Sequence, residues 1–575
     1  MGVPMKVVAF NRPKAIWEIL NEYQLEGRLD KHRVELVLNP IDKGQIRISA
    51  AFLDNFYSDT PNQVACQSRE IYQIINAVAN QHLEDTRIIQ KKLRHIGFST
   101  FSILEDLRSL IKPELYNKAV YEVFKKLLFE TSDKEIFKLA IEMTGQCQWC
   151  EQLLDAYLII GQCEEFTRYV ASGVVKWIYK SNFKEVAFKL LSLSNDWGTI
   201  YLTELLLEEE ELLQDMTLQR SLLIGSLTDN SLLMEVTAML GKKLNLLALL
   251  EQSLEDEELF KYIVEFFNAL FSDTTSNGGI WAVMGHELGL LEAYITTLVK
   301  VKFDTIQLLG IRELYEFIKA KETKNYIYAV FDNIIYENIK VKVEALWQAT
   351  YSIELLKKSL REKVDLFGWC MFIKTHKVIE VLEECKALYN QDNIFSWLIE
   401  DTLIEIGDMD MRLHIYDQLK KLIEDEKRKV ESYSYVNIWG EGYERENEII
   451  NKIKVLEKLP FEEIVACSKS LLKDYNPQVR SRVLLALDVR AEADIKADEE
   501  LVEAIINRLA DSPFYVRNEA LELCTKKHIK ISKLQVQQIE ESWKQRSEKN
   551  NQAFYKNFHE LQDKPIKLVS YKKCK

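Results

Sequence analysis

No proline falls between Pro113 and Pro460, whereas Pro4, Pro13, Pro40 and Pro61 lie ahead of Pro113, and Pro477, Pro513 and Pro565 lie beyond Pro460. Proline lacks a backbone donor and clashes with the turn before it, so the middle three-fifths of the chain is free of the strongest helix breaker. Within that interval apolar residues recur at helical spacing. Phe137, Ala140 and Ile141 form one such set, and Leu314, Phe317 and Ile318 another, with Lys and Glu filling the opposite face. Strand-like alternation is scarce. Its best instance is 33–38, where Val34, Leu36 and Leu38 alternate with Arg33 and Glu35; Val37 breaks the pattern, and a short helix fits the same residues. The expected fold class is all-α.

A chain of 575 residues, 47% hydrophobic and 29% charged, has the balance of a folded protein and exceeds what one hydrophobic core encloses. Helical chains of this length grow by stacking units, so self-comparison precedes any fold assignment. Leu472, Asp474, Val479, Arg480 and Val483 align with Leu509, Asp511, Val516, Arg517 and Ala520 at an offset of 37, and Pro477 and Pro513 fall one position out of register. An Asp there can cap the next helix or bond the turn amides. Pro is tolerated in a first helical turn, and the Val and Ala positions face a neighbouring unit.

This pattern resembles the HEAT family, in which a tight turn after one helix is followed by a second helix that begins with Val-Arg. The resemblance implies an α-solenoid of stacked antiparallel helix pairs, armadillo-like, in which Arg480 and Arg517 tie one repeat to the next. Weaker echoes occur upstream. Val341, Lys342 and Ala345 match the Val516 segment, Asp133 and Asp229 each stand before an apolar helical pattern, and Asp59 keeps the Asp-to-Val spacing with Val64.

The expected organisation is a helical N-terminal segment over 1–115 with atypical capping repeats, a long helical-repeat segment over 116–430, a loop and linker helix over 431–455, HEAT-like repeats over 456–535 and a basic tail over 536–575. Ser272 to Gly279 has the composition of a flexible loop. Ser432 to Glu446 sets Tyr433, Tyr435, Trp439 and Tyr443 among the turn glycines Gly440 and Gly442. Tyr and Trp bury much area with few rotatable bonds, which makes these four the candidate partner-binding residues; covering the end of a repeat stack is the alternative role.

The net charge of −14 opposes a surface devoted to a phosphate backbone. The charge is polarised, however. From Lys526 to Lys575 there are 13 Lys and Arg against 5 Asp and Glu, a local +8 that leaves −22 on the preceding residues. The acidic runs Glu208 to Glu211 and Glu255 to Glu258 read as solvated helix faces. Nine scattered cysteines lack the spacing of a disulfide framework, no apolar run marks a signal peptide, and none is long enough to cross a membrane, so a cytoplasmic location is expected.

Chemical motifs are incomplete. His286 and Glu287 begin a zinc-peptidase helix, but Leu290 stands where the second histidine must be. Cys147 and Cys150, with Cys163 beyond them, have neither a second ligand pair nor a βα context and read as core thiols in a helix–turn–helix. No phosphate-binding glycine loop and no nucleophile elbow is present. No catalytic, cofactor-binding or metal-ligating residue is assigned. The expected function is a non-enzymatic scaffold or regulator that holds a protein partner on a concave helical-repeat surface. The alternative is a HEAT-type nucleic-acid-binding or nucleic-acid-processing protein that uses the basic C-terminal segment.

Overall fold

The computed structural model describes residues 14–38, 60–228, 230, 233–272, 288–320, 333–391, 396–424, 448–511 and 513–544. Among these the chain is all-α apart from one two-stranded pair, and no helix is long and apolar enough to cross a membrane. The strands, Gln24–Leu25 and Arg28–Leu29, are two residues each and join through Glu26 and Gly27, both at positive φ. Strands this short carry no alternation for sequence to reveal. The residues that did alternate belong to the helix Lys31–Leu38, the other reading they allowed.

The chain divides into two compact units, one holding the described residues up to Tyr351 and the other those from Ser352 onward. The division falls inside the proline-free interval and inside the segment 116–430.

In the first unit, helices pack by a rule of alternation. One row runs Thr100–Leu110, Lys134–Gln146, Glu164–Lys176, Asp196–Leu207, Leu233–Lys243, Glu257–Ser272, Asp304–Lys319 and Asn333–Thr350, each against the next in the row. A second row runs Leu154–Ile160, Ser181–Leu193, Met216–Leu227, Leu246–Gln252 and Leu288–Lys300. The apolar stripes are what this packing buries: Phe137, Ala140 and Ile141 are fully buried, as is Leu314, and Ile318 nearly so. Asp133 caps Lys134–Gln146 by accepting from the amides of Glu135 and Ile136, as its position in the sequence anticipates.

Small residues set the spacing. Gly145 and Gly173 lie face to face, so that a Cβ built on Gly173 would stand 2.7 Å from the Gly145 Cα. Gly198 sits against the Thr167 side chain in the same manner. The echo at Val341 does not mark a helix start: it lies within Asn333–Thr350, and Val341 is 63% exposed, unlike the buried Val516 it resembles. Its periodicity fits any amphipathic helix.

In the second unit the offset pair behaves as its residues dictate. Pro477 opens the helix Pro477–Asp488 and Asn476 caps it, while Asp474 accepts from the turn amide of Asn476. Val479 and Val483, and their equivalents Val516 and Ala520, are fully buried. Earlier in the same unit, Glu400, Asp401 and Glu405 on Ser396–Ile406 meet Lys452, Lys454 and Lys458 in register, with Lys374 adding a second bond to Asp401. Burial raises the Glu400 carboxyl despite Lys452. Burial also acts to raise Asp401, but the hydrogen bonds from Lys374 and Lys454 prevail and hold it below the usual carboxylate range.

Candidate functional site

Tyr433, Tyr435, Trp439 and Tyr443 lie outside the described residues, as do His286, Glu287, most of the Ser272 to Gly279 loop and the basic tail beyond Lys544. The start of the basic segment is described, and it turns inward: Lys526 binds Asp488, and Lys527 donates to the carbonyls of Asp488 and Arg490. Among the acidic runs, Glu258 pairs with Arg220, which also grips Asp256. Glu209 accepts from the Tyr179 hydroxyl.

Cys147 and Cys150 are buried and reduced, and Cys163 is half-buried. Burial first, and the neighbouring Cys150 second, push the Cys147 thiol up to about 12; burial pushes Cys150 up to about 11. Thiols so hard to ionise are poor nucleophiles and poor metal ligands at neutral pH. Among the described residues no three His, Cys, Asp or Glu side chains are disposed to hold a metal ion.

Polar side chains converge instead on one face of the first unit, carried by Thr100–Leu110, Lys134–Gln146, Glu164–Lys176 and Asp196–Leu207. Helical spacing puts Phe101 and Arg108 on the first, Glu135, Lys138, Glu142 and Gln146 on the second, Glu165, Arg168, Ser172 and Lys176 on the third, and Trp197 and Tyr201 on the fourth. Glu142 is buried and accepts from Arg108 Nε at 2.8 Å and from Gln146 at 3.1 Å, while Arg108 Nη2 reaches the Ser172 hydroxyl at 2.5 Å. Lys176 donates to the Gln146 carbonyl and side-chain oxygen, and Trp177 donates to the Gly145 carbonyl.

Toward the other end of these helices the buried Lys138 bonds Glu135 at 3.0 Å and stands 3.4 Å from Glu165, which also accepts from Lys134 at 3.1 Å. Glu135 in turn accepts from the Thr100 amide. Two lysines thus face two carboxylates, as charges removed from water require. Burial lowers the Arg108 guanidinium pKa, but Glu142 outweighs it and the net shift is upward; burial lowers Lys176.

Arg168 differs from its neighbours. Its guanidinium lies 4.6 Å from the centre of the Phe101 ring and 4.8 Å from that of Tyr201, and Tyr201 continues to Trp197 at 6.2 Å. It makes no hydrogen bond or ion pair with any described residue, and it is partly exposed. Two aromatic rings, one from the next helix and one from two helices earlier, therefore hold a planar cation whose N–H groups are unspent. Sequence reading passed over this residue because nothing in its own helix signals the two rings. The available signal was the stripe of polar and aromatic residues three and four apart on four successive helices.

Comparison of the chain with protein-family models, with curated proteins and with solved structures finds no match.

Proposed function

We propose that the helix pairs stack as a HEAT-like α-solenoid and that the chain is a non-enzymatic scaffold that holds a protein partner on the face around Arg168. The observation that carries this reading is a contact between helices two places apart. Lys134–Gln146 packs between Thr100–Leu110 and Glu164–Lys176, yet Arg108 bonds Ser172 and Phe101 covers Arg168 across it. Neighbouring helix axes stand about 8–10 Å apart, so in a flat row these two would be separated by roughly twice that distance. Direct contact between their side chains supports a row bent toward this face, the geometry of a concave binding surface. The alternating packing of the first unit supports the same stacking.

The face is also built as interfaces are. Its centre is aromatic and arginine, and its other charged side chains, Lys176 on the neutral Gln146 included, are bonded within the face. The nucleic-acid alternative draws on the segment after Lys526, and Lys526 and Lys527 are already tied to Asp488 and Arg490.

Affinity purification of the tagged full chain from its native host tests the reading. A protein should be recovered in stoichiometric amount and be released by Ser172→Trp, which fills the face, with circular dichroism confirming an intact fold. A chain that purifies alone, or a partner that the variant retains, refutes it. Binding of DNA or RNA that falls steeply with salt would transfer the assignment to the nucleic-acid reading.

A further inference from the structure

We infer that Arg168 is the specificity-determining anchor of this face and that it takes the carboxylate of an acidic side chain in an extended peptide segment of the partner. The inference rests on the binding-face reading above and names the partner's chemistry.

Three observations carry it. The first is that Arg168 retains its donors. Arg108 spends itself on Glu142 and Ser172, and Lys134 and Lys138 on Glu135 and Glu165, whereas Arg168 makes no hydrogen bond or ion pair with any described residue. The second is pre-organisation. An arginine on a surface samples many rotamers, and ordering it costs free energy on binding. Phe101, from two helices earlier in the row, and Tyr201, from the next helix, hold this guanidinium in place beforehand, and a fixed planar fork matches a carboxylate through two parallel hydrogen bonds.

The third observation is the charge count, which selects among anions. The paired lysines and carboxylates around Arg168 cancel, and Lys176, which bonds the neutral Gln146, lies about two turns further along the same helix, so Arg168 is the one cation without a carboxylate partner at its own level of the face. Glu105 and Glu204, one turn beyond Phe101 and Tyr201, are both exposed. A doubly charged phosphate or a nucleic-acid backbone meets repulsion from these two carboxylates and has only one unpaired cation at this level of the face to offset it. A lone carboxylate matches the one cation, and neutral or basic residues beside it suit Glu105 and Glu204. The partly exposed rings of Phe101 and Trp197 provide apolar contact for the neighbouring residues of the same segment.

The test is selection of a phage-displayed random dodecapeptide library, with peptide C-termini fused to the coat protein, on the immobilised full chain. Enriched sequences should share one Asp or Glu among apolar and basic residues. As synthetic peptides they should bind about ten- to a hundredfold more weakly after Glu→Gln replacement, and by a similar factor to Arg168→Lys, which keeps the charge and alkyl stem but not the fork. Exchange of the acid for phosphoserine should not strengthen binding. Enriched peptides without an acid, or peptides that bind Arg168→Lys and Arg168→Ala as tightly as the parent, overturn the anchor while leaving the binding face intact. Tighter binding by the phosphoserine peptide overturns the carboxylate assignment. Failure to enrich any sequence overturns both the anchor and the reading on which it rests.

Discussion

Arg480 holds Asp511 by two hydrogen bonds, from Nε to Oδ2 at 2.6 Å and from Nη2 to Oδ1 at 2.5 Å, with the carboxylate side chain only 2% exposed. Asp511 is the counterpart, 37 positions on, of Asp474, whose own carbonyl accepts from Arg480 Nη1 at 2.6 Å. The second segment repeats that bond: Arg517 Nη1 donates to the Asp511 carbonyl at 2.8 Å. One arginine therefore closes its own turn and clamps the next one. Removing a single partner strands a buried charge. Asp511→Ala is expected to cost about 3–5 kcal/mol and Arg480→Lys less, because one charge remains without the fork. Urea unfolding of the full chain followed by circular dichroism checks this; an unshifted transition for Asp511→Ala contradicts the clamp.

The recurrence of the clamp's Asp and Arg positions was legible because self-comparison compares like with like, while their tying role was what the family resemblance implied. The apolar stripes through Phe137 and Leu314 were legible for the same kind of reason, since helical period alone determines which side is buried. Lys138, Glu142 and Glu165 were not. By composition they belong to a solvated helix face, yet each is buried, because the neighbouring helix in the row covers that face and supplies the opposite charge. Arg168 is the converse case. Its rings come from residues 67 positions before it and 33 after it, and no local pattern encodes such a meeting. Glycines and aromatics drew the reading to Tyr433 through Tyr443 because composition is all that a sequence displays for a loop.

Asp401 links stability to pH. Its carboxyl is held below its ordinary value by Lys374 and Lys454 against the opposing effect of burial, so it is the folded state that releases the proton more readily. The stabilisation is present above the unfolded value of about 3.9 and is lost as pH falls through the lower folded value. Asp401→Asn should therefore be less stable than the parent at pH 7, and the two should converge below about pH 4. Thermal midpoints measured across that range decide it; a constant difference at all pH values refutes the linkage.

The cysteines should differ in reactivity. Cys66 is exposed, whereas Cys147 and Cys150 are buried with thiols raised to about 12 and about 11. Alkylation proceeds through the thiolate, which these two barely populate at pH 8. Iodoacetamide at that pH, with the sites mapped by mass spectrometry, should modify Cys66 first and reach Cys147 and Cys150 only after denaturant is added. Early labelling of either would contradict the buried, unligated state.

Gly145 and Gly173 set how closely Lys134–Gln146 and Glu164–Lys176 approach. A Cβ on Gly145 would meet the Gly173 Cα at 2.8 Å, and one on Gly173 would meet the Gly145 Cα at 2.7 Å. The obstacle in each case is backbone, so no side chain can rotate away and the helices themselves must separate. Such overpacking costs about 1–3 kcal/mol, which outweighs the roughly 1 kcal/mol that alanine gains over glycine inside a helix. Gly173→Ala should therefore lower the melting temperature. Gly289→Ala is the control, since nothing lies within 4 Å of a Cβ there and the residue is exposed in Leu288–Lys300. It should leave stability unchanged or raise it by up to about 1 kcal/mol. The binding face makes the same substitution informative about function. Gly145 accepts from Trp177, and Ser172, the neighbour of Gly173, accepts from Arg108, so separating the two helices disturbs the contacts further along the helix that carries Arg168. Gly173→Ala is expected to weaken a selected peptide at temperatures where the chain remains folded, and Gly289→Ala is not. Equal binding by both variants would mean that the face does not depend on this helix spacing.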